Sequence, residues 1–351
     1  MKKVNLSNLH IETLEPYMSA RRIGGSGEVW LNANELPFPR NSFNLDVSEF
    51  HRYPDQGPEL VEATYATYAG VKADQTLVLR GADEAIDLLM RAYCQSGTDG
   101  IVINSPTYGM YRVSAGIQNA LVTDVPLTEN YQLNVNGITA QNQAKLIFIC
   151  NPNNPSGNHL QQQDILEIVS HFEGKALVAI DEAYIEFCPE QSLVPELKNF
   201  SNLVVIRTMS KAFGLAGVHV GYLLANAEIM SVMRKVVAPY PLADPCAQIA
   251  LQALEINNLE LMQQQVKEIN LIRDAFCETV ADFPAVTNIL PSVANFVLVS
   301  FTDKENAWLA LVEAGIVARQ IPHPRLTDFI RFSIGTPTEM EQVISVLERL
   351  V

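Results

Sequence analysis

Short apolar runs alternate with segments of helix length through the middle of this chain, and this alternation constrains its fold more than any other feature. Six largely apolar runs lie at 76–79, 101–103, 146–149, 177–180, 203–206 and 221–224. Intervening segments such as 83–93 and 161–172 have the length and periodicity of amphipathic helices. Apolar strands separated by helices form mainly parallel sheets that helices cover. We therefore predict an α/β fold with a mainly parallel central sheet.

The character of the sequence changes after Pro245. A helical stretch at about 246–280 leads into apolar runs at 295–299 and 330–334, with helical segments at about 305–314 and from Pro337 onward. This pattern indicates a smaller α+β domain joined by a long helix. The first forty-odd residues have no core of their own and are expected to pack on that domain or on a partner subunit. We predict an N-terminal arm (1–45), a large domain (46–245) and a linking helix with a small domain (246–351).

Composition limits the partners of this protein. A net charge of −15 and a pI near 4.8 argue against nucleic acid or an anionic membrane, since either requires a basic face. No stretch approaches the ~20 apolar residues of a membrane span. We expect a cytoplasmic protein without a metal site, and we interpret its five widely spaced cysteines as reduced core thiols: Cys94, Cys150, Cys188, Cys246 and Cys277.

Two ionisable residues follow two successive predicted strands. Asp181 comes directly after the run 177–180, and Lys211 lies in the segment TMSKAFG after the run 203–206. A buried carboxylate needs a cationic partner, which a protonated pyridine nitrogen would supply, and a lysine amine can carry an aldehyde as an imine. Taken singly, the lysine is more often a solvated loop residue and the aspartate a helix cap. Their order and spacing together indicate a pyridoxal-phosphate site.

Other segments that follow predicted strands offer binding groups. The segment RGADE at 80–84 opens a helix after a glycine turn, so its amides can bind an anion, although simple capping is the alternative. Tyr108 leaves the sheet at the edge where ligands bind in open α/β sheets, and could stack on a pyridine ring or be an ordinary half-buried tyrosine. Asn154, in the turn NPNNPSG, could donate to a phenolic oxygen or serve only the turn.

These motifs stand in the order and spacing of a known family. The segments GADE, PTYGMY, NPNNPSG, DEAYIEF, TMSKAFGLAG and IRFSIGT resemble those of the histidinol-phosphate aminotransferases, which belong to the fold-type I, class II pyridoxal-phosphate enzymes. The resemblance runs from about Tyr17 to the C-terminus. NPNNPSG and SKAFGLAG are typical of the wider superfamily, whereas ARRIGG, WLNANE, HRYP and DEAYIEF are typical of this family.

The resemblance implies a task for each matched residue around the cofactor. Lys211 would bond to the cofactor aldehyde and then move the proton between the substrate α-carbon and the cofactor. Asp181 would keep the pyridine nitrogen protonated. The other contacts implied are Asn154 and Tyr184 to the phenolic oxygen, Tyr108 over the ring, and Ala82, Asp83, Ser210 and the partner subunit's Tyr53 to the phosphate of a site built across a homodimer.

The resemblance also implies a substrate pair. Arg319 and Arg331 would receive the anionic groups of donor and acceptor, and Tyr17 would help to close the pocket. The planar guanidinium group can form paired hydrogen bonds with the oxygens of either a carboxylate or a phosphate. The implied reaction transfers an amino group from L-histidinol phosphate to 2-oxoglutarate in histidine biosynthesis. Alternatives are an aromatic amino acid aminotransferase, a decarboxylase of a phosphorylated amino acid, and a non-catalytic binding module.

One position departs from the family pattern. The family usually has an arginine eight residues after the lysine, where it contacts the cofactor phosphate, whereas this chain has His219. An imidazole is shorter and only partly charged near neutrality. We predict that His219 binds the cofactor phosphate more weakly, and more weakly still at high pH. The alternative is that His219 packs as a strand residue and water takes the place of the arginine.

Overall fold

A computed structural model describes residues 6–40, 43–54 and 58–350; residues 1–5 and 41–42 of the predicted arm lie outside this part. Its strands are β1 (Val29–Trp30), β2 (Thr76–Leu79), β3 (Gly100–Ile103), β4 (Leu121–Asp124), β5 (Ala144–Cys150), β6 (Leu177–Asp181), β7 (Leu203–Thr208), β8 (Gly221–Ala225), β9 (Val286–Ile289), β10 (Phe296–Phe301), β11 (Ile316–Val317), β12 (Arg319–Gln320) and β13 (Phe329–Ser333). Its helices are α1 (Leu9–Glu12), α2 (Ala20–Ile23), α3 (Glu59–Ala69), α4 (Gly81–Tyr93), α5 (Met110–Gln118), α6 (Val135–Thr139), α7 (Gln162–His171), α8 (Ala227–Met233), α9 (Asp244–Ala253), α10 (Ile256–Val280), α11 (Lys304–Glu313) and α12 (Pro337–Leu347).

The central sheet has seven strands in the order β2-β8-β7-β6-β5-β3-β4. β8 runs antiparallel to both of its neighbours, and the other pairs are parallel. Every residue of β2, β7 and β8 is buried, as are the final five of β5 and the final four of β6. Burial on both faces explains why these strands are continuous apolar runs rather than alternating ones. The predicted α/β fold is confirmed.

All six predicted strands of this sheet form, but a seventh, β4, had no counterpart in the sequence prediction. Leu121–Asp124 pairs in parallel with β3 at the sheet edge, and its residues alternate between exposed and half-buried. An edge strand with one face in solvent needs no apolar run. Its short LVTD sequence therefore lacks the signal that identified the inner strands.

The C-terminal part contains a four-stranded antiparallel sheet in the order β12-β13-β10-β9. α11 and α12 coincide with the segments predicted to be helical, and α12 begins with a capping box between Thr336 and Glu339. The smaller α+β unit predicted from the sequence is thus present as a sheet with its helices.

The predicted single helix at about 246–280 is wrong, because the structure has two helices there. α9 ends before Leu254, Glu255 has an extended backbone, and α10 begins at the next residue. The side chain of Asn258 donates to the carbonyl oxygen of Gln252 at 2.8 Å and so satisfies a group at the end of α9. Neither glycine nor proline marks the break, so periodicity alone could not locate it.

The N-terminal segment packs on the C-terminal part of the chain. β1 pairs in parallel with β11, and the backbone nitrogen of Ser333 donates to Leu31 at 2.8 Å. Leu31 is buried although the residues before Val29 are largely exposed. This agrees with the expectation that the segment has no core of its own and needs another part of the molecule.

All five cysteines are free thiols; Cys94, Cys150 and Cys188 are buried, and Cys246 and Cys277 are half-buried. Within the described ranges, none of the helices has both the length and the apolar character that a bilayer crossing requires.

Candidate active site

Six strands bring their ends to one edge of the central sheet. β3, β4, β5, β6 and β7 are parallel, and β2 runs in the same direction because β8 is antiparallel to both β2 and β7. A cavity of about 740 Å³ lies beyond these ends. Of the thirteen predicted site residues, twelve line it: Tyr17, Ala82, Asp83, Tyr108, Asn154, Asp181, Tyr184, Ser210, Lys211, His219, Arg319 and Arg331.

Asp181 is the last residue of β6, and its carboxyl group is buried. Oδ2 accepts a hydrogen bond from the Tyr111 hydroxyl at 2.7 Å, and Oδ1 accepts one from the backbone nitrogen of Ala183 at 3.1 Å. Burial raises the pKa of Asp181 to about 6, although both hydrogen bonds favour the ionised form. A cation in the cavity would therefore be stabilised by this carboxylate.

Lys211 lies just after β7, where a turn closed by a 3.0 Å bond from the Gly214 nitrogen to the Lys211 carbonyl directs the chain back. Its Nζ donates to the Ala33 carbonyl at 3.2 Å and lies 5.7 Å from the centre of the Tyr184 ring. Burial, followed by the charge of Arg331, lowers the pKa of Lys211 to about 8. Within the described residues it forms no ion pair, so part of its population is a free amine near neutral pH.

The Tyr184 hydroxyl is held by the N-terminal segment. The side-chain nitrogen of Asn34 donates to it at 2.9 Å. Asn34 in turn has a left-handed backbone (φ 54°), which Ser333 and Asn295 hold through hydrogen bonds of 2.8 and 3.0 Å. Burial raises the pKa of Tyr184, so its hydroxyl keeps a proton that it can donate.

Arg331 crosses from β13 into the cavity and is bound by neutral groups. Nη1 donates to Asn154 Oδ1 at 2.6 Å, and Nη2 donates to the Asn32 carbonyl at 3.0 Å. Its guanidinium lies 5.2 Å from the ring centre of Phe296, and its buried Nε has no partner among the residues that the structure describes. Burial lowers the pKa of Arg331 to about 10. A cation in this state favours an anionic ligand.

Arg319, on β12, is a second cation at the cavity. Its Nη2 donates to the Met18 carbonyl at 3.4 Å, and its buried Nη1 has no partner in the described part of the chain. Burial lowers the pKa of Arg319, while Tyr17 opposes that change. Burial also raises the pKa of Tyr17, and Arg319 lowers it. The charge of each side chain therefore affects the ionisation of the other.

The turn before α4 is tightly packed. Gly81 has φ 75°, and a Cβ placed on it would lie 2.8 Å from the imidazole of His219. Ala82 and Asp83 follow in the first turn of α4, whose backbone N–H groups have no partners within the helix. Ser210 faces the same cavity and accepts a 3.0 Å bond from a neighbouring threonine. Together these groups can bind an oxyanion, and we call them the cradle.

His219 itself is not a packed strand residue, contrary to the alternative interpretation of the sequence. It precedes β8, is exposed, and has a left-handed backbone with φ 59°. Within the described part of the chain its imidazole forms no hydrogen bond or ion pair. The ring is thus available at the cradle, and its binding of a phosphate stays a prediction.

Tyr108 lies over the cavity with its hydroxyl already engaged. It donates to Asp83 Oδ1 at 3.0 Å, and its ring meets that of Tyr111 edge-on at 5.7 Å. These contacts fix the plane of the ring while leaving it on the cavity wall. The position suits stacking on a planar ligand.

Tyr53 is the one predicted site residue that does not line the cavity of its own chain. It is 73% exposed and stacks on Tyr240, with ring centres 4.1 Å apart. That Tyr53 serves the site of a second subunit stays a prediction.

Three of the residues that sequence reasoning missed at this site contact or adjoin the predicted ones. Tyr111 binds Asp181, Asn34 binds Tyr184, and Cys150 pairs in register with Asp181 at the end of the neighbouring strand. Two of them lie within quoted motifs, PTYGMY and WLNANE, and Cys150 directly precedes NPNNPSG. Their partners are distant in sequence, so only the motif context could have signalled them.

The fold and the site together define a class of enzyme. The sequence profile of the family described as aminotransferase class I and II matches residues 26–347. Histidinol-phosphate aminotransferase of Yersinia enterocolitica serotype O:8 / biotype 1B is 45% identical over 347 residues, which cover 98% of this chain and 92% of that protein. That of Yersinia pseudotuberculosis serotype O:1b is 44% identical, with 99% and 91% covered. The chain therefore belongs to the class I and II aminotransferases, and within them to the histidinol-phosphate aminotransferase family.

Solved structures share the fold. The histidinol-phosphate aminotransferase of Sinorhizobium meliloti, in complex with pyridoxal-5'-phosphate, superposes with a TM-score of 0.85 at 21% identity over 99% of this chain and 98% of that one. The Clostridium acetobutylicum histidinol-phosphate aminotransferase gives 0.81 at 24% identity, with 92% and 98% covered.

Proposed function

We propose that this protein transfers the amino group of L-histidinol phosphate to 2-oxoglutarate, giving imidazole acetol phosphate and L-glutamate, as a step of histidine biosynthesis. Its full-length relatives of 44–45% identity bear the name of that activity. The observation that carries the proposal is the cavity itself, in which a partly neutral lysine, a buried carboxylate and two arginines with unpartnered N–H groups converge.

The residues of the cavity fit pyridoxal phosphate. Burial raises the pKa of the Asp181 carboxyl group, and a pyridinium nitrogen would provide a cation that stabilises its ionised form. Lys211 is an amine with a lowered pKa, as attack on an aldehyde requires. Gly81, Ala82 and Ser210 line the cavity, and their backbone N–H and hydroxyl groups can donate hydrogen bonds to a phosphate. Without a ligand, the burial of these groups would lower the stability of the protein and serve no function.

Pyridoxal phosphate, when bound, supplies an aldehyde and a ring that accepts the electron pair left on the substrate α-carbon. Lys211 would take the proton from that carbon and return it to the aldehyde carbon of the cofactor, because its amine is partly free near neutrality and lies on the cavity wall. Asp181 would hold the proton on the ring nitrogen, and Tyr111 and Ala183 keep its carboxylate oriented. Tyr184 and Asn154 would donate to the phenolic oxygen.

The two arginines and Tyr17 bind the substrates. Arg331 retains an unpartnered Nε and Arg319 an unpartnered Nη1, and both groups are buried. An incoming carboxylate or phosphate would complete their hydrogen bonds, so each anion gains a charge-assisted bond without a new desolvation cost on the protein side. This arrangement allows a phosphate monoester and a dicarboxylate to use one cavity in turn.

The assembly is a homodimer in this proposal, and the partner's Tyr53 completes the phosphate site. Its exposed position outside its own cavity supports this assignment. We also propose that the chain is divided into the arm 1–45, the large domain 46–245 and the small domain with its linking helices 246–351, and that the protein acts in the cytoplasm. His219, which lines the cavity, contacts the cofactor phosphate in this proposal, in place of the arginine that the family usually has.

An absorbance experiment tests the function. The purified protein is mixed with pyridoxal phosphate, and spectra are recorded before and after L-histidinol phosphate is added without a keto acid. We expect the visible band of the lysine-bound cofactor to give way to pyridoxamine absorbance, and 2-oxoglutarate to restore it. A band that responds only to phenylalanine or tyrosine would mean that the substrate is an aromatic amino acid instead. Release of carbon dioxide would indicate a decarboxylase, and no band at all would support a binding module or contradict cofactor binding.

A further inference from the structure

Residues 43–54, which we call the strap, expose an unusual number of large apolar side chains. Leu45, Val47, Phe50 and Tyr53 are between 42% and 73% exposed. These side chains lie within nine residues of one another on a segment without helix or strand. Apolar groups clustered in this way on a surface are typical of a region that another molecule covers.

Two glutamines of α9 hold the strap by its backbone. Gln248 donates to the Asp46 carbonyl and accepts from the Asp46 nitrogen, both at 2.8 Å. Gln252 donates to the Asn44 carbonyl at 2.7 Å and accepts from the Asn44 nitrogen at 3.0 Å. Each side-chain amide therefore pairs with one residue as the peptide groups of a neighbouring strand would.

The spacing of these four residues matches geometrically. Positions four apart on a helix are separated by about 6 Å along its axis. Positions two apart on an extended chain are separated by about 6.6 Å. Gln248 and Gln252 therefore stand opposite Asn44 and Asp46 without distortion. Asp244, one turn earlier, accepts from Gln248 at 2.6 Å and fixes the orientation of its amide.

The far end of the strap is fixed by an aromatic pair. Tyr53 stacks on Tyr240 with ring planes only 11° apart, and Tyr240 precedes α9 by a few residues. The segment 240–252 thus holds both ends of the strap. The exposed apolar side chains of the strap are therefore held in place through its backbone rather than through contacts of their own.

We infer that Gln248 and Gln252 are positioning residues that preorganise the strap, so that a second copy of this chain binds its apolar side and receives Tyr53 at its cavity. The inference rests on the homodimer of the proposed function. A strap that is ordered before association loses less conformational entropy when the dimer forms. Without the glutamines, dimer formation and cofactor retention should both weaken, although neither side chain touches the cavity.

The test compares the wild-type protein with the double variant Gln248→Ala/Gln252→Ala and with Gln342→Ala, an exposed glutamine of α12, as the matched control. Hydrogen exchange of the strap is measured first. The amides of Asn44 and Asp46 should exchange at least about tenfold faster in the double variant, since it removes their acceptors. The dimer dissociation constant, measured by sedimentation, should rise about tenfold.

Cofactor affinity provides the readout that distinguishes positioning from a general loss of structure. The dissociation constant of pyridoxal phosphate should rise severalfold in the double variant and return toward the wild-type value at high protein concentration, where the dimer forms again. In a Tyr53→Ala background, the glutamine substitutions should weaken cofactor binding no further, because they act through Tyr53.

Two failures are distinguishable. A wild-type protein that is monomeric at micromolar concentration would overturn the dimer on which the inference rests, while leaving the aminotransferase reaction to its own spectral test. A dimeric wild-type protein whose double variant shows unchanged exchange, or an additive effect with Tyr53→Ala, would overturn only the positioning role of Gln248 and Gln252. Thermal unfolding of the double variant checks that the rest of the chain is folded.

Discussion

Two buried groups of charges lie near the end of β7, and they differ in how their charges are compensated. The first is centred on Arg207, which donates to Glu182 at 2.7 Å, to Glu186 at 3.3 Å and to Ser192 at 3.0 Å. Burial opposes its charge, but Glu182 and the other neighbours raise the pKa of Arg207 above its ordinary value. One oxygen of Glu186 has no partner within the described ranges.

The second group is the cavity, where burial is similar and compensation is missing. Lys211 has a pKa lowered to about 8 and Arg331 a pKa lowered to about 10, whereas that of Asp181 is raised to about 6. Burial is the largest cause of all three shifts. Each shift disfavours the charged form, which is the opposite of what Arg207 shows.

The difference separates charges that support the fold from charges that await a ligand. Removing one member of a buried ion pair is strongly destabilising, because the other charge is left buried and uncompensated. An unpaired one lowers the stability of the free protein, and this cost is offset when a complementary ligand binds. Substitutions in the two groups should therefore have opposite effects on stability, in addition to different effects on turnover.

Lys211→Met is expected to have the largest effect. Turnover should fall by about a thousandfold or more, since both the amine nucleophile and the proton carrier are removed. The cofactor-free variant should be more stable than the wild type below pH 8, by up to about 3 kcal/mol. Because the native pKa is lowered, the wild type regains stability between pH 8 and 10.5, and the difference should close there.

Urea unfolding at several pH values and steady-state kinetics measure both quantities. Lys267→Met, on the exposed side of α10, is the matched control and should change neither. If the Lys211 variant were less stable than the wild type at pH 7, the contrast between the two groups would fail.

Arg207→Met should destabilise the protein by about 3–5 kcal/mol, because two buried carboxylates lose their cation. Urea unfolding of the cofactor-free protein measures this. Arg91→Met, which breaks an exposed pair with Asp87, is the control and should cost no more than about 1 kcal/mol. A small effect at Arg207 would mean that its pairing contributes little and that the two groups are alike.

Asp181→Asn should reduce turnover by about a hundredfold, since a neutral amide does not hold a proton on the ring nitrogen as a carboxylate does. The cofactor-free wild type loses stability as pH rises from about 4 through 6, because the native pKa is raised above its ordinary 3.8. The asparagine variant lacks this loss and should be more stable at pH 7, by up to about 3 kcal/mol. Identical pH–stability curves for the two proteins would contradict the assigned burial cost.

Tyr111→Phe should have the smallest effect. It removes the 2.7 Å hydrogen bond that favours the ionised form of Asp181, so the pKa of that carboxyl should rise further. Turnover should fall about tenfold, with its acidic limb moved to higher pH. Tyr93→Phe, on α4, is the control. An unchanged pH profile would show that Tyr111 has no part in tuning Asp181.

The sequence predicted the central fold because its inner strands are buried on both faces. A run such as 203–206 is apolar throughout, and this pattern has few other interpretations once it recurs between helices. Features that depend on tertiary contacts were missed. β4 has only one covered face, and the break at Glu255 is stabilised by a side chain rather than by a glycine or proline.

The candidate site divides in the same way. Lys211 and Asp181 were found because each directly follows an apolar strand, so their place at the sheet edge follows from local sequence. Asn34 and Tyr111 were not found as site residues. Their hydrogen-bond partners are 150 and 70 positions away, and no local pattern records such distances.

The sequence by itself determined the class of fold, the sheet edge that binds ligands and the chemistry available there, because these depend on residue type and on strand periodicity. Only the tertiary structure decided which charges are compensated. Arg207 and Arg331 are both buried arginines on strands, but one meets two carboxylates and the other meets neutral oxygens. That distinction is set by which distant segments pack together, and it separates a charge that stabilises the fold from one placed to bind a substrate.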